Sequence, residues 1–199
     1  MKKLALALLA LAPLFLTAQS AAWQDIEQPL SSSGKHLLQT ETYRLLQLQE
    51  DMLQARLQAA PSESGVALAQ SPFQLQLPNP AGGWDTFRVV NSPVMGEGLA
   101  RQFPGIQTYL AKGVSNPRAL ARLDFTAQGF HAMVLQGADT YFIDPYYHGL
   151  RDGTYAAYYK RDYASAEFEC HTDGLAADHH EPAASSQVLG EELRIYRTA

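Results

Sequence analysis

The sequence predicts an α+β domain, mostly antiparallel sheet of about seven or eight short strands with one or two short helices. Three observations carry this reading. Short runs alternate apolar with polar side chains, Gly, Pro and Asn turns separate them, and helical spacing is clear in only one long stretch. Residues Trp23 to Gly34, with Pro29 and the Ser31-Ser32-Ser33-Gly34 run, read as a loose N-terminal segment. Glu41 to Leu48 fits either a strand or an upstream extension of the next helix. That helix runs from Glu50 to Ala60: Met52, Leu53 and Leu57 recur at helical spacing, Glu50 and Asp51 sit in the first turn where the dipole favours anions, and Pro61 ends it.

Beyond Pro61 the period changes to two. Phe73, Leu75 and Leu77 alternate with Gln74 and Gln76. The Asn79-Pro80-Ala81-Gly82-Gly83 turn then leads into Thr86 to Asn91, which together make a hairpin. Glu97 to Phe103 reads as a short helix closed by Pro104, and Ile106 to Ala111 as a strand. Leu120 to Thr126 meets Phe130 to Leu135 across Ala127-Gln128-Gly129. Thr140 to Asp144, stopped by Pro145, and Tyr155 to Lys160 complete the set. From His171 to Glu192 the chain is mostly Ala, Ser, Gly, Asp, Glu and His, the composition of a linker. It is followed by the alternating run Leu193-Arg194-Ile195-Tyr196-Arg197.

Composition bounds the function classes. The 199 residues are 46% hydrophobic and 18% charged, with one cysteine and a net charge of -5. This excludes a disordered chain, a collagen-like repeat, a disulfide-stapled miniprotein and a large multidomain enzyme. The 15 Lys and Arg against 20 Asp and Glu, with no basic stripe in the sequence, argue against nucleic acid or an anionic membrane surface as the main partner. At the N-terminus, Lys2 and Lys3 precede an apolar run from Leu4 to Leu16 broken by Pro13, then small and polar residues from Thr17 to Ala22. This order reads as a secretory signal peptide cleaved near Ala18 to Ala22, since the run is shorter than the roughly 20 residues a membrane span needs. Secretion or periplasmic export is therefore expected. In an oxidising compartment the lone Cys170 reads as a free thiol, an intermolecular link or a metal ligand.

No H-E-x-x-H, G-x-S-x-G, P-loop or EF-hand pattern occurs in the sequence. Cys170 with His131 or His148 lacks the local signature of a cysteine protease. Cys170, His171, His179 and His180 match no closed zinc spacing, and they read better as part of a solvated linker. The tyrosines Tyr141, Tyr146, Tyr147, Tyr155, Tyr158, Tyr159 and Tyr163, with Phe142, could form a stacking platform, although strand packing explains them more simply.

Several segments occur in a telling order: Ser92-Pro93-Val94-Met95, Leu99, Phe103-Pro104-Gly105-Ile106-Gln107-Thr108-Tyr109, Asp124-Phe125-Thr126 and Gly129-Phe130-His131-Ala132-Met133. Tyr141-Phe142-Ile143-Asp144-Pro145-Tyr146, Tyr159-Lys160-Arg161-Asp162-Tyr163 and Phe168-Glu169-Cys170 follow. Over about residues 40 to 199 this resembles the N-terminal prodomain of secreted bacterial reprolysin-like zinc metallopeptidases. In that family a segment like Leu193 to Arg197 opens the catalytic domain, which is absent from this chain. The resemblance favours a strand at Glu41 to Leu48. It implies a noncatalytic prodomain that inhibits and assists folding of the protease domain. Cys170 would supply a zinc-blocking thiolate, a cysteine switch, and His171 is a weaker candidate for the same role.

The expected organisation is a signal peptide over 1–22, a loose segment over 23–40, a prodomain-like α+β domain over 41–170, a linker over 171–192, and the start of a following domain over 193–199. The chain itself is expected to be a monomer with neither enzymatic activity nor a cofactor. The zinc would sit in its partner, a reprolysin-like catalytic domain, with no nucleic acid and no membrane after signal removal. The alternative is a secreted β-rich binding module presenting tyrosines to a glycan or protein.

Overall fold

Residues 22–36, 38 and 40–163 are described by a computed structural model, and in most of their strands period-two alternation decides which side chains turn inward. The strands are Trp23–Asp25 (β1), Lys35–His36 (β2), Arg44–Leu48 (β3), Gln74–Pro78 (β4), Trp84–Asn91 (β5), Gln107–Gly113 (β6), Leu120–Thr126 (β7), Gly129–Leu135 (β8), Tyr141–Pro145 (β9), Tyr147–His148 (β10) and Thr154–Tyr159 (β11). Two α-helices, Glu50–Leu57 (α1) and Glu97–Gln102 (α2), interrupt them. Nine strands form one antiparallel sheet in the order β1-β3-β11-β9-β8-β7-β6-β5-β4, and β2 pairs with β10 in a separate ribbon.

The expectation of a mostly antiparallel sheet with short helices holds, but the described chain is richer in sheet than an α+β domain of seven or eight strands. The uncounted strands are very short. β1 has three residues and β2 and β10 two each, too few for alternation to register. The ambiguous stretch before α1 is the strand β3, paired on one side with β1 and on the other with β11.

The sheet curls until its distant edges approach. Arg44, on β3, donates from Nη1 to the carbonyls of Asn79 (3.0 Å) and Gly83 (2.7 Å) in the β4–β5 turn. At the other end of the gap, Arg56 of α1 donates to the Gln74 carbonyl of β4 at 3.1 Å. The enclosed face carries one continuous core, including Leu46, Phe87, Tyr109, Leu123, Phe125, Phe130, Ile143 and Tyr155. Helix α1 turns Leu53 and Leu57 into this core and leaves Met52 exposed, so the apolar stripe read from the sequence is narrower than expected. The helix ends at Leu57 rather than Ala60.

The segment read as loose is anchored at both ends. The Trp23 ring is buried edge-on against Phe130 and Tyr155, and the Ala22 carbonyl accepts from the Gln49 amide at 2.8 Å. Further along, Leu38 packs with Ala156 and Tyr158 on the outer face of the sheet. Serine and proline content lowered the sequence reading, yet a single large aromatic buries enough apolar surface to fix a short strand.

Candidate functional site

Two features of the described surface are built from more than core packing. The first is a row of titratable side chains across the outer face of β7, β8 and β9. Alternation turns Leu123, Phe125, Phe130 and Ala132 inward, so Asp124 and His131 must point outward. The register then sets Asp124 opposite His131, and the β8–β9 pairing of Ala132 with Ile143 places Asp144 on the far side of the same histidine. His131 Nδ1 lies 2.7 Å from Asp144 Oδ1, and the Tyr158 hydroxyl donates to Asp144 Oδ2 at 2.6 Å. With Nδ1 donating to the carboxylate, Nε2 is left as the exchangeable position of the neutral ring. It makes no hydrogen bond among the described residues, and it is not buried.

The electrostatics of the row follow from half-burial. Burial disfavours the charged His131 ring, but the Asp144 hydrogen bond and charge, aided by Asp124 and Glu50, outweigh it and raise the pKa above 6.5. Burial likewise raises the Asp124 carboxyl above 3.8; His131 opposes the rise and Asp144 adds to it. The Tyr158 hydroxyl is pushed far up by burial and then by the Asp144 charge, so it remains a proton donor at any physiological pH. The raised His131 and Asp124 values each mean that the fold favours the protonated form of that group. Their stabilisation is complete below the unfolded values, and it is lost as pH rises through the folded ones. His131→Gln is therefore expected to flatten the decline in stability above about pH 6.5, by less than about 1 kcal/mol because solvent screens this half-exposed group. Urea midpoints of both forms between pH 5 and 8 check this; parallel curves would exclude it.

The second feature surrounds α2. The Ser92 amide bonds to the Thr108 carbonyl, and the Thr108 hydroxyl returns a 2.7 Å bond to the Ser92 carbonyl, so the segment after β5 is pinned beside β6. Pro93, Val94 and Met95 from that segment, with Pro104 and Ile106 from beyond α2, line a cleft of about 180 Å³. Val94 on its lining is 67% accessible, and Phe103, which lines a separate neighbouring hollow with Pro104 and Ile106, is 50% accessible. The helix is short and amphipathic only in part, with Leu99 left exposed.

The residues singled out from sequence are distributed differently. Cys170, His171, His179 and His180 lie outside the described residues, as do all but the last residue of the signal segment, the linker and the Leu193 to Arg197 run. His148 is exposed on β10, and the register sets it opposite Lys35, away from the His131 row. Tyr141 and Tyr155 point into the core, Tyr147 and Tyr158 are buried, and Tyr159 packs partly against the core. Tyr43 and Tyr146 remain half-exposed with their hydroxyls 3.1 Å apart, and burial with the Tyr43 bond pushes the Tyr146 hydroxyl up to about 12. Asp124 and Asp144 were not singled out from the sequence. The signal that could have found them is the hairpin turn: with Thr126 paired to Gly129, the two residues Ala127 and Gln128 form the loop, and counting outward sets Asp124 against His131. Among the described residues no group of three or more His, Cys, Asp or Glu side chains is arranged to hold a metal ion.

Comparison with protein-family models, with curated proteins and with solved structures finds no match.

Proposed function

We propose that this chain is an exported, noncatalytic prodomain that covers a reprolysin-like zinc metallopeptidase domain and assists its folding. One observation carries the reading. Parts of two sequence words that resemble such prodomains, Pro93 to Met95 from the first and Pro104 with Ile106 from the second, lie on opposite sides of α2 in the chain and meet in one mostly apolar cleft. Exposed Val94, Leu99 and Phe103 gain nothing from the chain's own core, whereas burial against a partner would return about 1.5 to 3 kcal/mol for each fully covered side chain. In this reading the zinc belongs to the partner domain. Cys170 stands seven positions beyond Tyr163, the last described residue, and its thiolate is the group that would take the open zinc position at about 2.3 Å.

The test is inhibition in trans. The purified full chain, mixed at micromolar concentration with a reprolysin-like catalytic domain, is expected to suppress peptide hydrolysis. Val94→Glu with Phe103→Glu should weaken this by desolvating charge in the contact. Cys170→Ser should weaken it further where the thiolate binds zinc. Inhibition that survives Cys170→Ser undiminished removes the switch and leaves the covering role, while no inhibition by the unaltered chain removes both.

A further inference from the structure

The register arranges the outer face of the central strands into rows. One row reads Arg88, Lys112, Leu120, Leu135 across β5 to β8, and the next reads Leu110, Arg122, Met133 across β6 to β8. Leu120 and Leu135 stand directly opposite each other and are 42% and 43% exposed, and Met133 beside them is exposed as well. Lys112 and Arg122 form no ion pair among the described residues. The Arg122 guanidinium reaches only the Ser92 hydroxyl, at 3.4 Å.

This pattern costs stability in the isolated fold. Like charges directly opposite on a sheet face, such as Arg88 and Lys112, repel, and exposed leucine pairs leave apolar area in water. Both costs are relieved by one kind of contact. A surface carrying carboxylates beside apolar side chains would pair the cations and cover Leu120, Met133 and Leu135 together. A second copy of this chain would offer these cations, on the same face, the half-buried Asp124 and Asp144, the latter already bonded to His131 and Tyr158, so self-association is not favoured. In a chain of overall charge -5 the positive charge here is local: it is confined to Lys112, Arg122 and the half-buried Arg88, and the same face carries Asp124 two positions from Arg122.

We propose that the outer face of β6, β7 and β8 is a docking face for another protein whose contacting surface alternates acidic and apolar residues. The cations steer the approach and set the register, and the apolar trio supplies the buried centre. This face adjoins the α2 cleft through the contact of Arg122 with Ser92, but none of Lys112, Leu120, Arg122, Met133 and Leu135 lines that cleft, so its test is separate from that of the protease partner.

A synthetic peptide alternating Glu with Leu or Val is the probe, with a Gln-for-Glu version as its neutral control. Binding to the full chain is followed by fluorescence anisotropy and by the Met133 methyl resonance. The Glu peptide is expected to shift that resonance, and Lys112→Glu with Arg122→Glu to weaken binding about tenfold or more, as for oppositely charged contacts. Added salt should weaken binding too. Lys35→Glu, a cation on the β2–β10 ribbon, should leave the affinity unchanged. Circular dichroism checks that each variant folds. Equal affinity for the Gln peptide, or an affinity unaffected by Lys112→Glu with Arg122→Glu, overturns the proposal. So does a Met133 shift produced by phosphatidylglycerol vesicles and not by the peptide, which would make the face a lipid surface.

Discussion

Gly129→Ala is expected to destabilise the fold by about 3 to 5 kcal/mol, enough to bring a domain of ordinary stability close to its unfolding threshold. Gly129 opens β8 with φ of +124°, a conformation that residues with a Cβ rarely adopt and that costs about 1 to 3 kcal/mol. The added methyl would also stand 2.6 Å from the Tyr155 hydroxyl, 3.2 Å from the Pro145 ring and 3.3 Å from a Glu50 carboxylate oxygen. That hydroxyl cannot simply swing away. It accepts from the Phe130 amide at 2.9 Å and donates to Glu50 at 2.6 Å, its ring is packed edge-on with Trp23, and Glu50 is further held by an ion pair to Arg151. Displacing it leaves a buried amide unpaired, at about 1 to 3 kcal/mol. Gly137→Ala provides the comparison, since φ there is +71° with nothing within 4 Å of the added carbon. It should show the backbone cost alone. Urea unfolding of both variants separates the contributions. Tyr155→Phe combined with Gly129→Ala should then cost less than the sum of the two single changes, because the collision is relieved. Equal losses for Gly129→Ala and Gly137→Ala would show that the hydroxyl does not hold its place.

The same neighbourhood shows where sequence reasoning reaches and where it stops. The β4–β5 and β7–β8 hairpins were legible because both the alternation and the turn residues lie within a few positions of one another. β3 was ambiguous because Leu45 and Leu46 are adjacent, so apolar residues fall on both faces, and only pairing with β1 and β11 decides between strand and helix. β11 carries buried residues on successive positions from Thr154 to Tyr158. Its outer face is covered by Leu38, from a segment more than a hundred positions earlier. No local window contains that information. The histidine row illustrates the same limit: His131 was visible as a histidine, but its partners come from two other strands and their identity depends on register. Charge counts taken along the chain also concealed the paired-up cations on the outer face of β6 and β7. Lys112 and Arg122 are ten positions apart in sequence and become diagonal neighbours only when their strands pair.

Arg44→Met is the second change expected to have a large effect, and it tests how the sheet's edges are held together. The Arg44 side chain is only 8% exposed. Its guanidinium donates to two backbone carbonyls of the β4–β5 turn and, through Nε and Nη2, to the two carboxylate oxygens of Asp25 at 2.6 and 2.9 Å. Its charge also lies 5.2 Å from the centre of the Trp84 ring. Asp25 is 63% exposed, and although the Arg44 hydrogen bond holds its carboxyl below the ordinary value against a smaller effect of burial, that pair adds little. The carbonyl bonds matter more. A hydrogen bond from a charged donor contributes about 1.5 to 3 kcal/mol, and β3 and β4 are not otherwise paired in the strand order. Methionine fills similar volume and donates nothing, so a loss of about 2 to 4 kcal/mol is expected. Lysine, with one compact donor group in place of a planar fork, should recover part of it. Hydrogen exchange distinguishes this from a loss of bulk packing: in Arg44→Met the amides of β4 and the β4–β5 turn should open well before those of β7 and β8. Protection lost evenly across the sheet would mean that Arg44 supports the core as a whole and does not act as the clasp between its edges.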